Sequence, residues 1–194
     1  VNLESSGGEK PYDGTPLTKP KVTGWEQSDD SNTGFVTGEV SDVRATGIVT
    51  NVSEGKVKNT IDYTEGEKFK EANYEIRKTE GVLEIKAIAK LIVITASSAS
   101  KTYDGKALTN GNYQNTLNVL VAGDKLTAVV SGTITDVGIA DNVVISYKVM
   151  RDDVDVTANY TFGDSVKGKL EIVKRKVNLE SSGGEKPYDG TPLT

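Results

Sequence analysis

The feature that most constrains this chain is an internal repeat. The segment VNLESSGGEKPYDGTPLT fills positions 1–18 of the 194 residues and returns without a change at 177–194. A partial copy of this segment, KTYDGKALT, lies at 101–109. Internal repetition decides the architecture of a chain before any local pattern does, so it sets the number of units that we look for.

The spacing of the repeat indicates small domains. The tyrosines of its three Tyr-Asp-Gly motifs, Tyr12, Tyr103 and Tyr188, are 91 and then 85 residues apart (103 − 12 and 188 − 103). Units of this length exceed those of a solenoid and are long enough to fold as separate domains. We therefore predict three parts, a first module at 1–89, a second module at 90–176 and the start of a third repeat at 177–194.

The composition excludes several classes of function. The chain has no cysteine and no histidine, so disulfides, thiolate metal sites and the commonest general base are absent. The net charge is −5 and the basic residues are scattered, which argues against nucleic acid as a partner. No apolar run reaches the roughly 18–20 residues of a membrane span. We expect no catalytic residues, no metal, no cofactor and no membrane insertion within this sequence.

The residue pattern predicts an all-β fold. Val, Ile, Thr and Tyr are abundant and apolar runs of helical period are missing. Each module closes with an alternating strand, at 81–85 and at 168–172, whose Leu and Ile should face inward and Glu outward. Two architectures remain open, a small Ig-like sandwich and a β-grasp-like sheet. In the second, the short charged segment 65–72 would supply the helix.

The links between modules are short and contain no flexible residues. Segments 86–91 and 173–176 lack Gly and Pro, whereas a flexible tether would be rich in Gly and Ser. The last strand of one module should therefore feed directly into the first strand of the next. We predict domains arranged end to end as a monomeric rod, with the tail at 177–194 packed on the second module or on a neighbouring molecule.

The order of motifs in the second module resembles a known type of surface repeat. Its motifs are Tyr-Asp-Gly at 103–105, Gly-Asp-Lys-Leu-Thr at 123–127, Ser-Gly-Thr-Ile-Thr-Asp-Val-Gly at 131–138 and Asn-Tyr…Gly-Lys-Leu-Glu-Ile at 159–172. This order resembles the tandem YDG/MBG-type repeats of bacterial, mostly Gram-positive, cell-surface adhesin-like proteins. The first module departs from it, because it lacks a clear Gly-Asp-Lys-Leu-Thr and carries extra residues at 50–72. The resemblance implies an extracellular, cell-wall- or surface-attached protein and no catalytic residues.

Three aromatic residues are candidates for ligand binding. Tyr12 and Tyr103 could stack on sugars, and Trp25, the only tryptophan, lies in a polar loop where it could anchor a ligand. The alternatives are that the tyrosines pack on their own hairpin or at the junction with the preceding module, and that Trp25 covers the core of its own module.

Four residues that recur with the repeat are expected to be structural. They are Tyr103, Tyr188, Asn73 and Asn159. Asn73 and Asn159 each precede a tyrosine near the end of a module, where an Asn can hydrogen-bond the backbone of a turn. A second interpretation is that either Asn forms an isopeptide crosslink to a lysine on a neighbouring strand.

Two functions follow from these patterns. The leading hypothesis is a structural stalk or spacer of a bacterial cell-surface protein that projects a distal binding region. The alternative is an adhesive module that binds a host glycan or glycoprotein such as mucin directly, through Trp25 and the acidic loops that contain Asp29 and Asp30 and Asp152, Asp153 and Asp155.

Overall fold

The chain is built almost entirely of β-strands. A computed structural model describes residues 1–30 and 32–194. The described residues form nineteen strands and three short 3₁₀ turns, at Val52–Glu54, Glu71–Asn73 and Thr157–Asn159, and none of them forms an α-helix. The predicted all-β fold is confirmed. Segment 65–72 contains only the end of a strand and the start of a 3₁₀ turn, because so short and charged a segment cannot sustain a helix.

The strands pair in two separate groups that divide at Ala87. The first group comprises β1 (Asn2–Ser5), β2 (Gly8–Pro11), β3 (Leu17–Thr18), β4 (Val22–Thr23), β5 (Val40–Ala45), β6 (Ile48–Val49), β7 (Val57–Lys58), β8 (Ile61–Glu65), β9 (Arg77–Thr79) and β10 (Val82–Lys86). The second comprises β11 (Ile88–Ile92), β12 (Ile94–Ala96), β13 (Ala99–Thr102), β14 (Tyr113–Asn115), β15 (Asp124–Ser131), β16 (Gly138–Arg151), β17 (Val154–Asp155), β18 (Tyr160–Phe162) and β19 (Gly168–Val173). No strand ladder among the described residues joins the two groups.

Both modules have the same topology. An early strand lies parallel to the last strand of its module, β2 beside β10 and β13 beside β19. The last strand pairs on its other side with an antiparallel strand, β7 or the first part of β16. The chain that directly follows this antiparallel segment then pairs with a different strand. In the first module β8 pairs with β5, and in the second module the second part of β16 pairs with β15. The first module breaks this stretch into two strands where the second module has one long one.

The last strand of each module forms because its side chains alternate between core and surface. Leu83 and Ile85 on β10 are buried, as are Leu170 and Ile172 on β19, and the residues between them are more exposed. The predicted inward face of Leu and Ile is therefore confirmed.

A buried asparagine marks the point in each module where the chain passes from one strand pairing to the next. Asn59 and Asn142 are fully buried, and each Nδ2 donates two hydrogen bonds to backbone carbonyls of two loops. The acceptors are the carbonyls of Ser6 (3.0 Å) and Lys19 (2.9 Å) for Asn59, and of Ser97 (2.8 Å) and Asn110 (2.8 Å) for Asn142. Equivalent asparagine side chains thus bind the same two loops in both modules.

The apolar core continues from one module into the other. One cluster of buried side chains belongs to the first module alone and centres on Leu3, Phe35 and Ile61. The other cluster includes residues from both modules, which are Tyr12, Val49, Leu83 and Ile85 from the first and Ile92, Ile94, Val119, Val149, Val156 and Tyr160 from the second. Only Ala87 separates β10 from β11, so the direct connection between strands expected from the sequence is present.

The C-terminal segment 174–194 forms no strand or helix, and nearly all of its side chains are exposed. Leu179 and Tyr188 are almost fully accessible. The expectation that this segment packs on the second module is therefore wrong for this structure, and packing on a neighbouring molecule stays a prediction.

Candidate functional site at the module junction

The Tyr-Asp-Gly motif forms a self-contained turn. Asp13 Oδ1 accepts hydrogen bonds from the backbone N–H of Thr15 (2.9 Å) and from Lys10 Nζ (2.8 Å). Gly14 adopts φ 80°, a conformation that costs glycine little. The lysine bond holds the pKa of this aspartate well below its usual range. Asp104 and Asp189 make the equivalent bonds to lysine and backbone, and their pKa values are lowered for the same reason.

This turn directs its tyrosine past the end of the last strand. The N–H of Tyr12 donates to the carbonyl of Lys86 (2.9 Å), and the N–H of Tyr103 donates to that of Val173 (2.9 Å). The three tyrosines differ greatly in exposure, at 3% for Tyr12, 38% for Tyr103 and 97% for Tyr188. The tyrosine of the same local turn is therefore buried in one copy and accessible in the others, and the difference lies in what packs against the ring.

Tyr12 inserts into the second module. Its ring centroid lies 5.8 Å from that of Tyr160 in an edge-to-face arrangement, and the Arg151 guanidinium lies 5.9 Å from the Tyr12 ring centroid. Val119 and Val156 belong to the same buried cluster. Tyr12 thus packs at a junction, as one of the two alternatives proposed, but with the module that follows it and not with a preceding one. Its buried ring is not positioned to stack on a sugar.

A buried carboxylate organises the polar side of this contact. Asp124 Oδ2 accepts a hydrogen bond from the Tyr160 hydroxyl (2.5 Å), and its Oδ1 accepts one from Arg151 Nε (2.6 Å). The Tyr160 hydroxyl in turn accepts from the N–H of Val121 (2.9 Å). The Asp124 side chain is fully buried, so the arginine supplies the opposite charge that such burial requires.

The electrostatics of the site keep its tyrosines protonated. Burial raises the pKa of Tyr160, and its hydrogen bond to Asp124 raises it further. Burial also raises the pKa of Tyr12, with a contribution from the nearby Asp124 carboxylate. The hydrogen bond to Asp124 raises the pKa of Arg151. The Tyr12 hydroxyl is buried without a hydrogen-bond partner among the described residues.

Asn159 forms a second link between the modules. It is almost fully buried, its Oδ1 accepts from the N–H of Val52 (2.7 Å), and its Nδ2 donates to Asn51 Oδ1 (2.8 Å). Neither of these partners is a lysine, and both belong to the first module, so the amide bonds across the junction instead of to the backbone of its own turn. We call the contact formed by Tyr12, Asp124, Arg151, Asn159 and Tyr160 the Tyr12 junction.

The first module contains the same arrangement of hydrogen bonds around a tyrosine hydroxyl. The Tyr74 hydroxyl accepts from the N–H of Val36 (3.0 Å) and donates to Glu39 Oε2 (2.7 Å). Tyr74, Val36 and Glu39 are thus equivalent to Tyr160, Val121 and Asp124 of the second module. The Tyr74 ring packs against Phe35 and Phe69 of its own module, with centroids 5.2 Å and 5.6 Å away.

The remaining predicted residues lie apart from the Tyr12 junction. Trp25 follows β4, is 36% exposed and is not part of the cluster around Tyr12. Asn73 is exposed at the end of a 3₁₀ turn of the first module. Sequence reasoning did not find the roles of Asp124, Arg151 and Tyr160. The Tyr-Asp-Gly repeat points to Tyr12, but the partners of Tyr12 follow only from how the modules meet.

Comparison with known proteins gives no relative. No family model, no curated protein and no solved structure matches this chain. Within the described residues, no three acidic side chains come together in a way that could hold a metal ion. The same part of the chain has no helix with the length and apolar character of a bilayer crossing.

Proposed function

We propose that this chain is part of the stalk of a bacterial cell-surface protein and acts as a stiff extracellular spacer that holds a distal binding region away from the cell. The observation that carries the proposal is the Tyr12 junction, where a tyrosine of one module is 3% exposed because the next module covers it. The resemblance of the motif order to YDG/MBG-type surface repeats supports the same assignment.

The contact is of a kind that resists bending. Motion between domains is the normal expectation unless their interface is substantial and apolar. Here, ten buried side chains from both modules form one cluster. Hinging the modules apart would expose Tyr12 and break the hydrogen bonds of Asn159 with Val52 and Asn51. Re-exposing one large apolar side chain alone costs about 1.5–3 kcal/mol. The single residue between β10 and β11 leaves little slack to absorb a bend.

Stiffness of this junction can be measured directly, because a chain without cysteine accepts labels at chosen positions. Spin labels at Glu67→Cys and Asp153→Cys, both exposed, report the distance between the modules. We expect a narrow distance distribution in the native chain. Tyr12→Ala should broaden it, since truncating a buried aromatic costs about 3–5 kcal/mol.

The matched control is Tyr103→Ala, which truncates the same motif where the ring is not covered by another module. This control should leave the distribution narrow. A broad distribution in the native chain, or equal broadening by both substitutions, would contradict the spacer proposal.

A further inference from the structure

We propose that a groove on the first module is a docking site for the Tyr103 end of the second module of another copy of this chain. This inference rests on the proposed spacer function, because the same contact would join successive pairs of modules in a longer array. Its partner is identified by likeness to the Tyr12 junction, because the chain carries a second tyrosine face and a second tyrosine-lined groove, although Gly66 stands where the second module has Arg151.

The first half is a surface on the second module. Leu17 pairs with Val49 beside Tyr12, and Leu108 pairs with Ile134 in the equivalent place of the second module. Val49 is fully buried in the shared cluster, whereas Ile134 is only partly covered. We call the surface made of Tyr103, Leu108, Ile134 and Val137 the Tyr103 face. Tyr103 and Val137 are exposed and Ile134 is partly exposed, whereas Tyr12 and Val49, the counterparts of Tyr103 and Ile134, are buried at the Tyr12 junction.

The second half is a groove of about 470 Å³ on the first module, which we call the Tyr74 groove. Its lining includes Gly34, Val36, Asn73 and Tyr74. In the second module the equivalent residues are Val119, Val121 and Tyr160, which pack in or against the cluster of Tyr12, and Asn159, which bonds the first module beside it. Glycine in place of Val119 gives the groove additional room for an incoming ring.

The polar contacts of the Tyr12 junction also have counterparts in the proposed complex. Asn159 binds the N–H of Val52 and the side chain of Asn51 across the junction. In the proposed contact, Asn73 takes the place of Asn159. The N–H of Val137 replaces that of Val52, and the carboxylate of Asp136 replaces the side chain of Asn51. Asn73 and Asp136 are both exposed. An amide that donates to a carboxylate makes a stronger bond than one that donates to another amide.

The geometry of this contact is head to tail. The groove and the face are different surfaces at different places in the chain, so each copy can bind one partner through each of them. A contact of this kind does not close on itself as a twofold dimer does. It leaves one groove and one face free at the two ends of each assembly, so that further copies can add in one direction.

Disulfide trapping tests the contact with the full chain, because the native sequence has no cysteine to interfere. Asn73→Cys and Asp136→Cys variants are purified separately, mixed and oxidised under mild conditions. We expect the mixed dimer to exceed both homodimers severalfold. Adding Tyr103→Ala to the Asp136→Cys chain should abolish the excess, whereas adding Tyr188→Ala should not.

A positive control places the two cysteines at Asn51 and Asn159 of one chain, whose side chains already meet, and should give an intramolecular disulfide. If this control crosslinks while Asn73→Cys and Asp136→Cys pair only at the statistical level, the docking proposal is wrong. It is also wrong if the excess survives Tyr103→Ala. Neither result affects the spin-label distance within one chain, so failure of docking remains separable from failure of the spacer function.

Discussion

At the scale of single residues, the Tyr12 junction buries two tyrosine hydroxyls, of which one is hydrogen-bonded and the other is not. The hydroxyl of Tyr160 both donates, to Asp124, and accepts, from the N–H of Val121. The hydroxyl of Tyr12 has no hydrogen-bond partner among the described residues. A buried polar group stabilises a fold only when it is paired, and an unpaired one costs free energy.

Replacing each tyrosine with phenylalanine should therefore have unequal effects. Tyr160→Phe leaves the N–H of Val121 without an acceptor and removes a donor from the buried carboxylate, so it should lower the free energy of unfolding by about 1–3 kcal/mol. Tyr12→Phe removes an unpaired hydroxyl and should be neutral or slightly stabilising. Urea unfolding of the two variants provides the comparison, and equal losses would show that the Tyr12 hydroxyl is paired in solution.

At the scale of elements, a buried asparagine holds the loops of each module to the strand that connects its pairings. Asn59 makes three such bonds, since its Oδ1 also accepts from the N–H of Gly47 (3.0 Å). Asn142 makes two, and its Oδ1 has no partner in the part of the chain that the structure describes. These contacts join loops that lie beside the ends of paired strands.

Asn59→Ala should destabilise the first module by about 2–4 kcal/mol, since it leaves several buried backbone groups without partners. Asn142→Ala should cost the second module less, because it breaks fewer bonds. Asn73→Ala, at an exposed position, is the matched control and should change stability by no more than about 0.5 kcal/mol. Hydrogen exchange measured by mass spectrometry resolves the two modules, and equal protection in all three variants would contradict the structural role of the amide.

At the scale of the whole molecule, buried phenols couple stability to alkaline pH. Burial raises the pKa of Tyr12, Tyr63, Tyr74 and Tyr160 above the ordinary value of 10.0. Each of these groups keeps its proton in the folded chain at a pH where the unfolded chain has lost it. The stabilisation that they give is complete below about pH 10 and is lost as the pH rises through the raised values.

The melting temperature should therefore fall steeply above about pH 10. The double variant with Tyr12→Phe and Tyr160→Phe should show a shallower fall, because two of the four groups no longer titrate. Calorimetry across this range, together with absorbance of the tyrosinate form, tests the coupling. Parallel slopes for the native chain and the double variant would exclude the junction tyrosines as its source.

The sequence predicts local structure well where the cause is local. The alternation of Leu83 and Ile85 with polar residues requires that one face of the strand is buried. The Asp-Gly pair of each repeat motif forms its turn in every copy, including the exposed copy at Gly190. The partners of Tyr12 are not predictable in this way. Asp124 and Arg151 meet as cross-strand partners on β15 and β16, but both are distant in sequence from Tyr12, and only the packing of two modules brings Tyr12 to them.

One feature of the topology bears on how such a chain would behave under tension. In each module an early strand lies parallel to the last one, β2 beside β10 and β13 beside β19. When the two ends of a module are pulled apart, parallel neighbours are dragged past each other along their length. All the hydrogen bonds between them are then strained at once, instead of opening one after another like a zipper. In the proposed spacer function, pulling along the stalk would therefore load each module in the orientation in which it resists rupture best.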